Sequence, residues 1–236
     1  MERLGNTLEH LDGPLGERAT LAGNLRDLRR VNRFLGGTSL SRRAIDALVL
    51  PGAAARTIRL LDIGTGAADI PVALLASWRA AGRELEVTAI DSRPEVIAAA
   101  SEQFGLANVV GLHLAVADGL ELPFEAGAFD ITHASLVLHH LEPDAAVGLL
   151  REMRRVASVG VVVNDLARGG LAWLGAWLLA HLTTGNAFTR HDAPLSVRRA
   201  YTVAEARALF ERAGLVPVVE IRGFAGHRWA MAARTR

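Results

Sequence analysis

The chain has 236 residues, half of them hydrophobic and 22% charged, which fits one large folded domain and argues against extensive disorder. Its formal net charge of +1 provides no long-range field for gathering nucleic acid or an anionic membrane. It contains no cysteine, so disulfide scaffolds, thiolate metal sites and cysteine nucleophiles are excluded together.

The first residues, MERLGNTLEHLDG, lack the apolar core of a signal peptide, and the cytoplasm is the default expectation. Leu21, Leu25, Leu28, Val31 and Leu35 recur at helical steps until Gly36 and Gly37 interrupt them. A second helix is expected over 41–50, so that residues 1–50 form an N-terminal helical cap ahead of a main domain over 51–236. Pro51 and Gly52 punctuate that boundary.

Beyond it, apolar β-branched runs at 57–63, 85–90, 109–116, 129–134, 160–164, 216–222 and 227–233 read as strands. Helical stretches at 70–81, 94–104, 143–156, 170–183 and 203–213 separate most of them. This alternation predicts an α/β fold: a Rossmann-like, seven-stranded, mostly parallel sheet with helices on both faces. Only four residues part the last two strands, so they should form a C-terminal antiparallel hairpin. Residues 165–201 break the alternation by inserting an apolar helix and a polar loop after the fifth strand. Insertions at that position commonly build a substrate pocket. The apolar stretch over 171–182 is too short to cross a bilayer, which needs about 20 residues.

The segment LLDIGTGAADIP, residues 60–71, ends an apolar strand in an acid, turns on Gly64, Thr65 and Gly66, and opens a helix. Glycines of this kind also serve dinucleotide-binding folds. Here, however, Asp62 and Asp69 flank the turn, and a pyrophosphate would meet two carboxylates. A cationic ligand suits the turn better. The strand VTAID ends in Asp91, followed by Ser92, with oxygens suited to two ribose hydroxyls. A third ends in Asp118 and Gly119, where an adenine amino group has an acceptor. Any one of these acids is as well explained as a cap, but three in succession are not.

Residues 60 to about 158 resemble the class I, Rossmann-like, S-adenosylmethionine-dependent methyltransferases. LLDIGTGAADI is similar to their first motif, VTAIDSRPEVI to the acidic strand after it, VADGLELPF to the adenine motif, and FDITHASLVLHHL to the fourth strand and its turn. The resemblance implies that Asp62 and Gly64 serve the methionine end of the donor, Asp91 its ribose and Asp118 its adenine. Thr65, Gly66, Ser92, Gly119 and His133 complete the expected cofactor contacts. Ala68 departs from the family, many of whose members have a third glycine there.

For the acceptor, His139 and His140 follow the fourth strand in a segment resembling quinone C-methyltransferases, and one of the pair is expected to face the pocket. His191, beside Asp192 in the insert, is a candidate base for a phenolic proton and equally a surface histidine. Asn164 and Asp165 end the fifth strand, either orienting an acceptor or capping a helix. No cluster predicts a divalent metal. Trp173, Leu174, Trp177, Leu178 and His181 give the inserted helix an apolar face, of which Trp173 and Trp177 are candidate substrate contacts. The segment over 190–202 resembles methyltransferases found beside type III polyketide synthases.

The leading expectation is O-methylation of a small aromatic or lipidic hydroxyl in secondary metabolism. C-methylation of a quinol ring is the alternative, and a non-catalytic binding module of the same fold the alternative of another class. The expected partner is a small apolar molecule, with neither nucleic acid nor membrane span, on a monomer or homodimer.

Overall fold

The computed structural model describes residues 1–5, 7, 9, 10, 13, 18–49 and 56–235. Two helices, α1 (Arg18–Phe34) and α2 (Gly37–Leu48), precede the sheet. The strands are β1 (Ile58–Ile63), β2 (Leu85–Asp91), β3 (Leu112–Val116), β4 (Phe129–Ser135), β5 (Ala157–Leu166), β6 (Val216–Arg222) and β7 (Arg228–Arg234). Between them run α3 (Asp69–Ala80), α4 (Pro94–Phe104), α5 (Pro143–Val156), α6 (Gly170–Thr183), α7 (Ala187–Arg199) and α8 (Val203–Arg212).

The seven strands form one sheet in the order β3-β2-β1-β4-β5-β7-β6. The first five are parallel, and β7 lies antiparallel between β5 and β6. Strand order reverses between β1 and β4, and the crevice outside their carboxyl ends is the ligand-binding position of such sheets. The predicted parallel sheet and terminal hairpin are both present.

Side chains alternate between the two faces at period two. Leu61, Val161, Val163, Trp229 and Met231 join the core beneath α5 and α8, whereas Leu60, Val162, Ala230 and Ala232 face Leu40, Ile45 and Leu48 of α2 and Leu74 and Trp78 of α3. Because both faces are covered, the parallel strands read as nearly continuous apolar runs.

Some boundaries depart from the sequence expectation. Gly36, at φ +80°, reverses the chain in a single residue, so α2 starts at Gly37 rather than at residue 41. Leu50 and the Pro51-Gly52 break lie outside the described residues. Gly111, at φ +82°, holds 109–111 in a turn and shortens β3. Strand β5 extends in both directions because its ladder with β7 continues to Leu166 opposite Arg228.

The largest correction is α7, where a polar loop was expected. Its polar side chains are satisfied by α1: Thr189 and Thr184 each donate a hydroxyl to Asp27 Oδ2, at 2.9 and 2.7 Å. Asn186 caps the helix by accepting from the Thr189 amide. Helix α6 packs on α7 and exposes Leu171 and Leu182 by 86% and 79%. No helix among the described residues is long and apolar enough to cross a membrane.

The N-terminal residues form a strap across α7 and the turn after β4. The Leu4 amide donates to Arg198 O at 3.0 Å. The Arg3 guanidinium reaches Arg199 O, Leu141 O and Glu142 Oε2 at 2.7–2.8 Å. The His10 amide donates to Asp192 Oδ1 at 2.9 Å, and Gly13 O accepts from Arg93.

Gly160 sits where β5, β7 and α2 converge. A Cβ there would lie 2.5 Å from Ala233 O and 2.7 Å from Leu48 Cδ1, so the backbone itself would have to move. Gly160→Ala is expected to destabilise the fold by about 2–3 kcal/mol, an overpacking cost, measured by urea denaturation.

Candidate functional site

The turn after β1 is held in a strained shape. Gly64, Gly66 and Ala68 all adopt left-handed φ angles of +64°, +53° and +50°. Alanine at that angle costs about 1 kcal/mol relative to glycine, and strain of this kind is retained where the surrounding structure enforces it. The Thr65 amide donates to Ile90 O at 2.9 Å and the Gly66 amide to Asp91 Oδ2 at 3.1 Å, so the turn is tied to β2. A side chain at Gly64 would strike Val137, whereas nothing lies within 4 Å of the Cβ direction at Gly66. Thr65 Oγ1 is buried without a hydrogen-bond partner, an orphan polar atom beside that opening.

Three carboxylates surround the turn. Asp62 is buried, and its Oδ1 lies 2.5 Å from His133 Nδ1. Burial pushes the Asp69 pKa up to about 6; a hydrogen bond from Asn32 and its own backbone amide oppose the shift, and the Asp62 charge adds to it. Asp91 is also raised by burial, against the amides of Arg93 and Gly66 and with the help of Asp62. The surroundings therefore leave negative charge in want of a cation.

The other expected donor contacts separate. Asp118 is exposed and accepts from the Leu120 amide at 2.9 Å, a local turn, while Gly119 packs near Ile63 and Leu149. Ser92 is exposed at the β2 end. His133 is wholly buried inside the sheet, so it reaches a ligand only through Asp62. Its Nε2 lies 2.8 Å from Ser41 Oγ, which accepts from Asn164 Nδ2 at 2.9 Å. Asn164 Nδ2 also donates to Gly37 O at 2.8 Å. Asn164 is thus fully buried and committed to α2, which corrects the expectation that it touches an acceptor.

His139 and Asp165 do come together. Strand β4 ends in Leu136, at φ +58°, and a single helical turn over Leu138–His140 carries both histidines back over β5. Asp165 Oδ2 accepts from the His139 amide at 3.0 Å, and Oδ1 lies 2.6 Å from His139 Nδ1. Burial opposes the ionised form of Asp165, but the His139 charge and the hydrogen bonds from His139 and Leu166 outweigh it and hold the carboxyl below its usual range. With Nδ1 engaged, the base-competent atom of His139 is Nε2.

Glu9, on the strap, lies 3.7 Å from His139 Nε2 and 3.9 Å from His140 Nε2. The two imidazoles lie with centroids 4.2 Å apart and their planes tilted by 35°. His191 is on α7 rather than in a loop, half-exposed, with its Nδ1 2.8 Å from Asp192 Oδ1 and its ring 4.1 Å from that of His10. Trp173 is half-buried, and Trp177 is exposed and stacked on His181. Two groups, Glu9 with His139 and His140, and His10 with His191 and Asp192, bring potential ligand atoms within 4.8 Å of one another. In the first, the Arg199 guanidinium stands where a cation would, 3.7 Å from Glu9 Oε1.

Sequence reasoning missed Glu9, Ser196 and Arg199. The last two share a buried face of α7 with Asp192, at the i, i+4, i+7 spacing that periodicity detects once a helix is assumed. Nothing local marks Glu9.

Residues 60–160 match the model of a family described as a methyltransferase domain. Among solved structures, a SAM-dependent methyltransferase from Aquifex aeolicus superposes with a TM-score of 0.63 at 17% identity, over 91% of this chain and 98% of that one. Human N-acetylserotonin methyltransferase, in complex with SAM, gives 0.66 at 16% identity over 92% of this chain and 56% of that one. An O-methyltransferase family 2 protein from Planctomyces limnophilus, in complex with apigenin, gives 0.61 at 20% identity over 95% and 64%. The chain therefore spans just over half of the human protein and under two-thirds of the planctomycete one. At these identities the structural likeness speaks for the fold.

The raised Asp69 pKa has a measurable consequence. An amino-acid ammonium binds the ionised carboxylate, so S-adenosylhomocysteine affinity is expected to rise roughly tenfold from pH 5 to pH 7 and then flatten, with Asp69→Asn losing the slope in calorimetric titrations. In the ligand-free protein the sign reverses. The folded state keeps a proton that the unfolded chain has released, so Asp69 costs stability as pH rises from about 4 through 6.

Proposed function

We propose that this chain, whose residues 60–160 form a methyltransferase domain of the class I, S-adenosylmethionine-dependent kind, transfers a methyl group to the hydroxyl of a small aromatic acceptor. The observation that carries the acceptor chemistry is the buried His139–Asp165 pair at the ends of β4 and β5, beside the glycine turn. The planctomycete O-methyltransferase, in complex with apigenin, supports the same reading.

The donor side fits the residues present. Asp69 and Asp62 suit a cationic amino acid, the space at Gly66 lets a ligand approach the backbone, and Thr65 Oγ1 awaits a partner. Asp91, at the end of β2, is the proposed partner of the ribose hydroxyls, and Asp118 with Gly119, after β3, that of the adenine. Held there, S-adenosylmethionine would supply an electrophilic methyl group with a thioether as its leaving group.

His139 Nε2 takes the acceptor's hydroxyl proton. Asp165 fixes the ring by holding Nδ1–H and stabilises the imidazolium that results, so the base is both aimed and charged at low cost. Helix α7 covers the pair, with Arg199 Nη2 donating to His140 O at 2.6 Å, and limits the entry of water to the reacting groups. Catalysis otherwise rests on alignment, since an in-line displacement responds steeply to the distance between nucleophile and methyl carbon. The His140 ring lies against that of His139 and limits its rotation. His191 on α7 and Trp173 and Trp177 on α6 are the further contacts proposed for an apolar acceptor.

His139→Ala is expected to lower kcat on a phenolic acceptor by about 10²- to 10⁴-fold while S-adenosylhomocysteine binding holds within about twofold. Asp165→Asn should lose tenfold or more, because an amide holds the imidazole in the wrong tautomer. His191→Ala should keep most turnover. Labelled methyl donor and mass spectrometry of the products measure all three, and a His139→Ala enzyme of full activity would end the assignment.

A further inference from the structure

The candidate base faces a carboxylate that belongs to the chain itself. Glu9 is 97% buried, far from the norm for a glutamate, and its two oxygens lie among a hydroxyl, a guanidinium and two imidazoles. Ser196 Oγ donates to Oε2 at 2.8 Å. Arg199 Nη1 lies 3.7 Å from Oε1, and the Nε2 atoms of His139 and His140 lie 3.7 Å from Oε1 and 3.9 Å from Oε2. These groups come from the turn after β4 and from α7, which have their own reasons to be where they are. The His139 ring is fixed by Asp165, and Arg199 is anchored through Nη2 to His140 O at 2.6 Å. The cradle is therefore built into β4, β5 and α7, and the group that occupies it is carried by the strap.

A guanidinium, a hydroxyl and two imidazoles gathered around one carboxylate make an acid-recognition site, in which the Ser196 hydroxyl is at hydrogen-bond distance and the guanidinium and imidazoles stand 3.7–3.9 Å away. The cradle adjoins the atom that takes the acceptor's proton. We infer that the Glu9 carboxylate holds the place of a carboxylate on the acceptor, so that the preferred acceptor is an aromatic hydroxy acid, which enters by displacing the strap. This inference rests on the proposed O-methylation and names its substrate class.

The exchange is balanced in charge, one carboxylate for another, and leaves the buried Arg199 compensated in both states. A neutral phenol would instead have to remove Glu9 without replacing its charge. Selectivity for acids over their amides follows from that penalty, and the cradle enforces it against neutral acceptors of the same shape.

The test measures binding of 2-hydroxybenzoate and its neutral counterpart 2-hydroxybenzamide to the S-adenosylhomocysteine-loaded full chain by calorimetry. Glu9→Ala should bind the benzoate at least tenfold more tightly than the unaltered protein does, and at least tenfold more tightly than it binds the benzamide, and Glu9→Gln should tighten the benzoate by a smaller factor. Adding Ser196→Ala to Glu9→Ala should remove most of the gain. In the unaltered protein, millimolar benzoate should speed tryptic cleavage after Arg3, which the seated strap protects, and the benzamide should not. Equal binding of acid and amide to Glu9→Ala, or a benzoate affinity no better than that of the unaltered protein, overturns the inference. S-adenosylhomocysteine binding, read in the same titrations, separates the two levels: its absence in the unaltered protein removes the methyltransferase reading, whereas its presence without a preference for acid removes only the acceptor class.

Discussion

The buried hydrogen bond between Asp62 and His133 joins β1 to β4 at the seam where the strand order reverses, and the crevice takes its shape from that seam. Asp62 could not be aimed by solvent, because none reaches it. His133 aims it, Ser41 aims His133, and Asn164 aims Ser41, so that a line of polar groups crosses from the donor end of the sheet to α2. Each link is inaccessible to water, where leaving a partner unsatisfied costs about 1–3 kcal/mol. Such a line is cooperative and unforgiving. It also ties α2, through Ser41, to the carboxylate near the end of β1, just before the glycine turn.

Around this line the crevice has two ends of different make-up. One gathers Asp62, Asp69 and Asp91, and burial raises the pKa of the last two. The other sets His139, His140 and Arg199 about Glu9, with Asp165 on the far nitrogen of the His139 ring. The buried Arg228, whose pKa burial depresses to about 10 against the charges of Asp165 and Asp69, stands near both acids and keeps the interior from becoming uniformly negative.

Much of the sheet was legible because its strands are buried on both faces and its turns carry glycine or proline. The order of the acids along the chain was legible for the same reason, since each follows an apolar run. Side-chain direction was not. His133 lies in a strand whose residues are buried on both faces, so period two could not say which neighbour it meets. Asn164 and Asp165 are adjacent and point to opposite faces, and only one of them reaches a histidine of the crevice. The α7 helix was misread because its polar residues are paid for by Asp27 and Asn24, more than 150 residues away. Glu9 escaped because its partners are 130 and 187 residues distant, and no local pattern carries that information.

The strap is secured by residues far along the chain. Leu4 and Arg3 bind Arg198 and Arg199, and His10 binds Asp192, so none of these contacts exists until α7 is in place. Closing loops of that length carries an entropy cost that the sheet has no need to share, and contacts of such separation form late. A folded body with an open strap is therefore a natural stage of maturation. Opening the strap in the finished protein retraces only the last step of folding, and the rest of the domain stays in place.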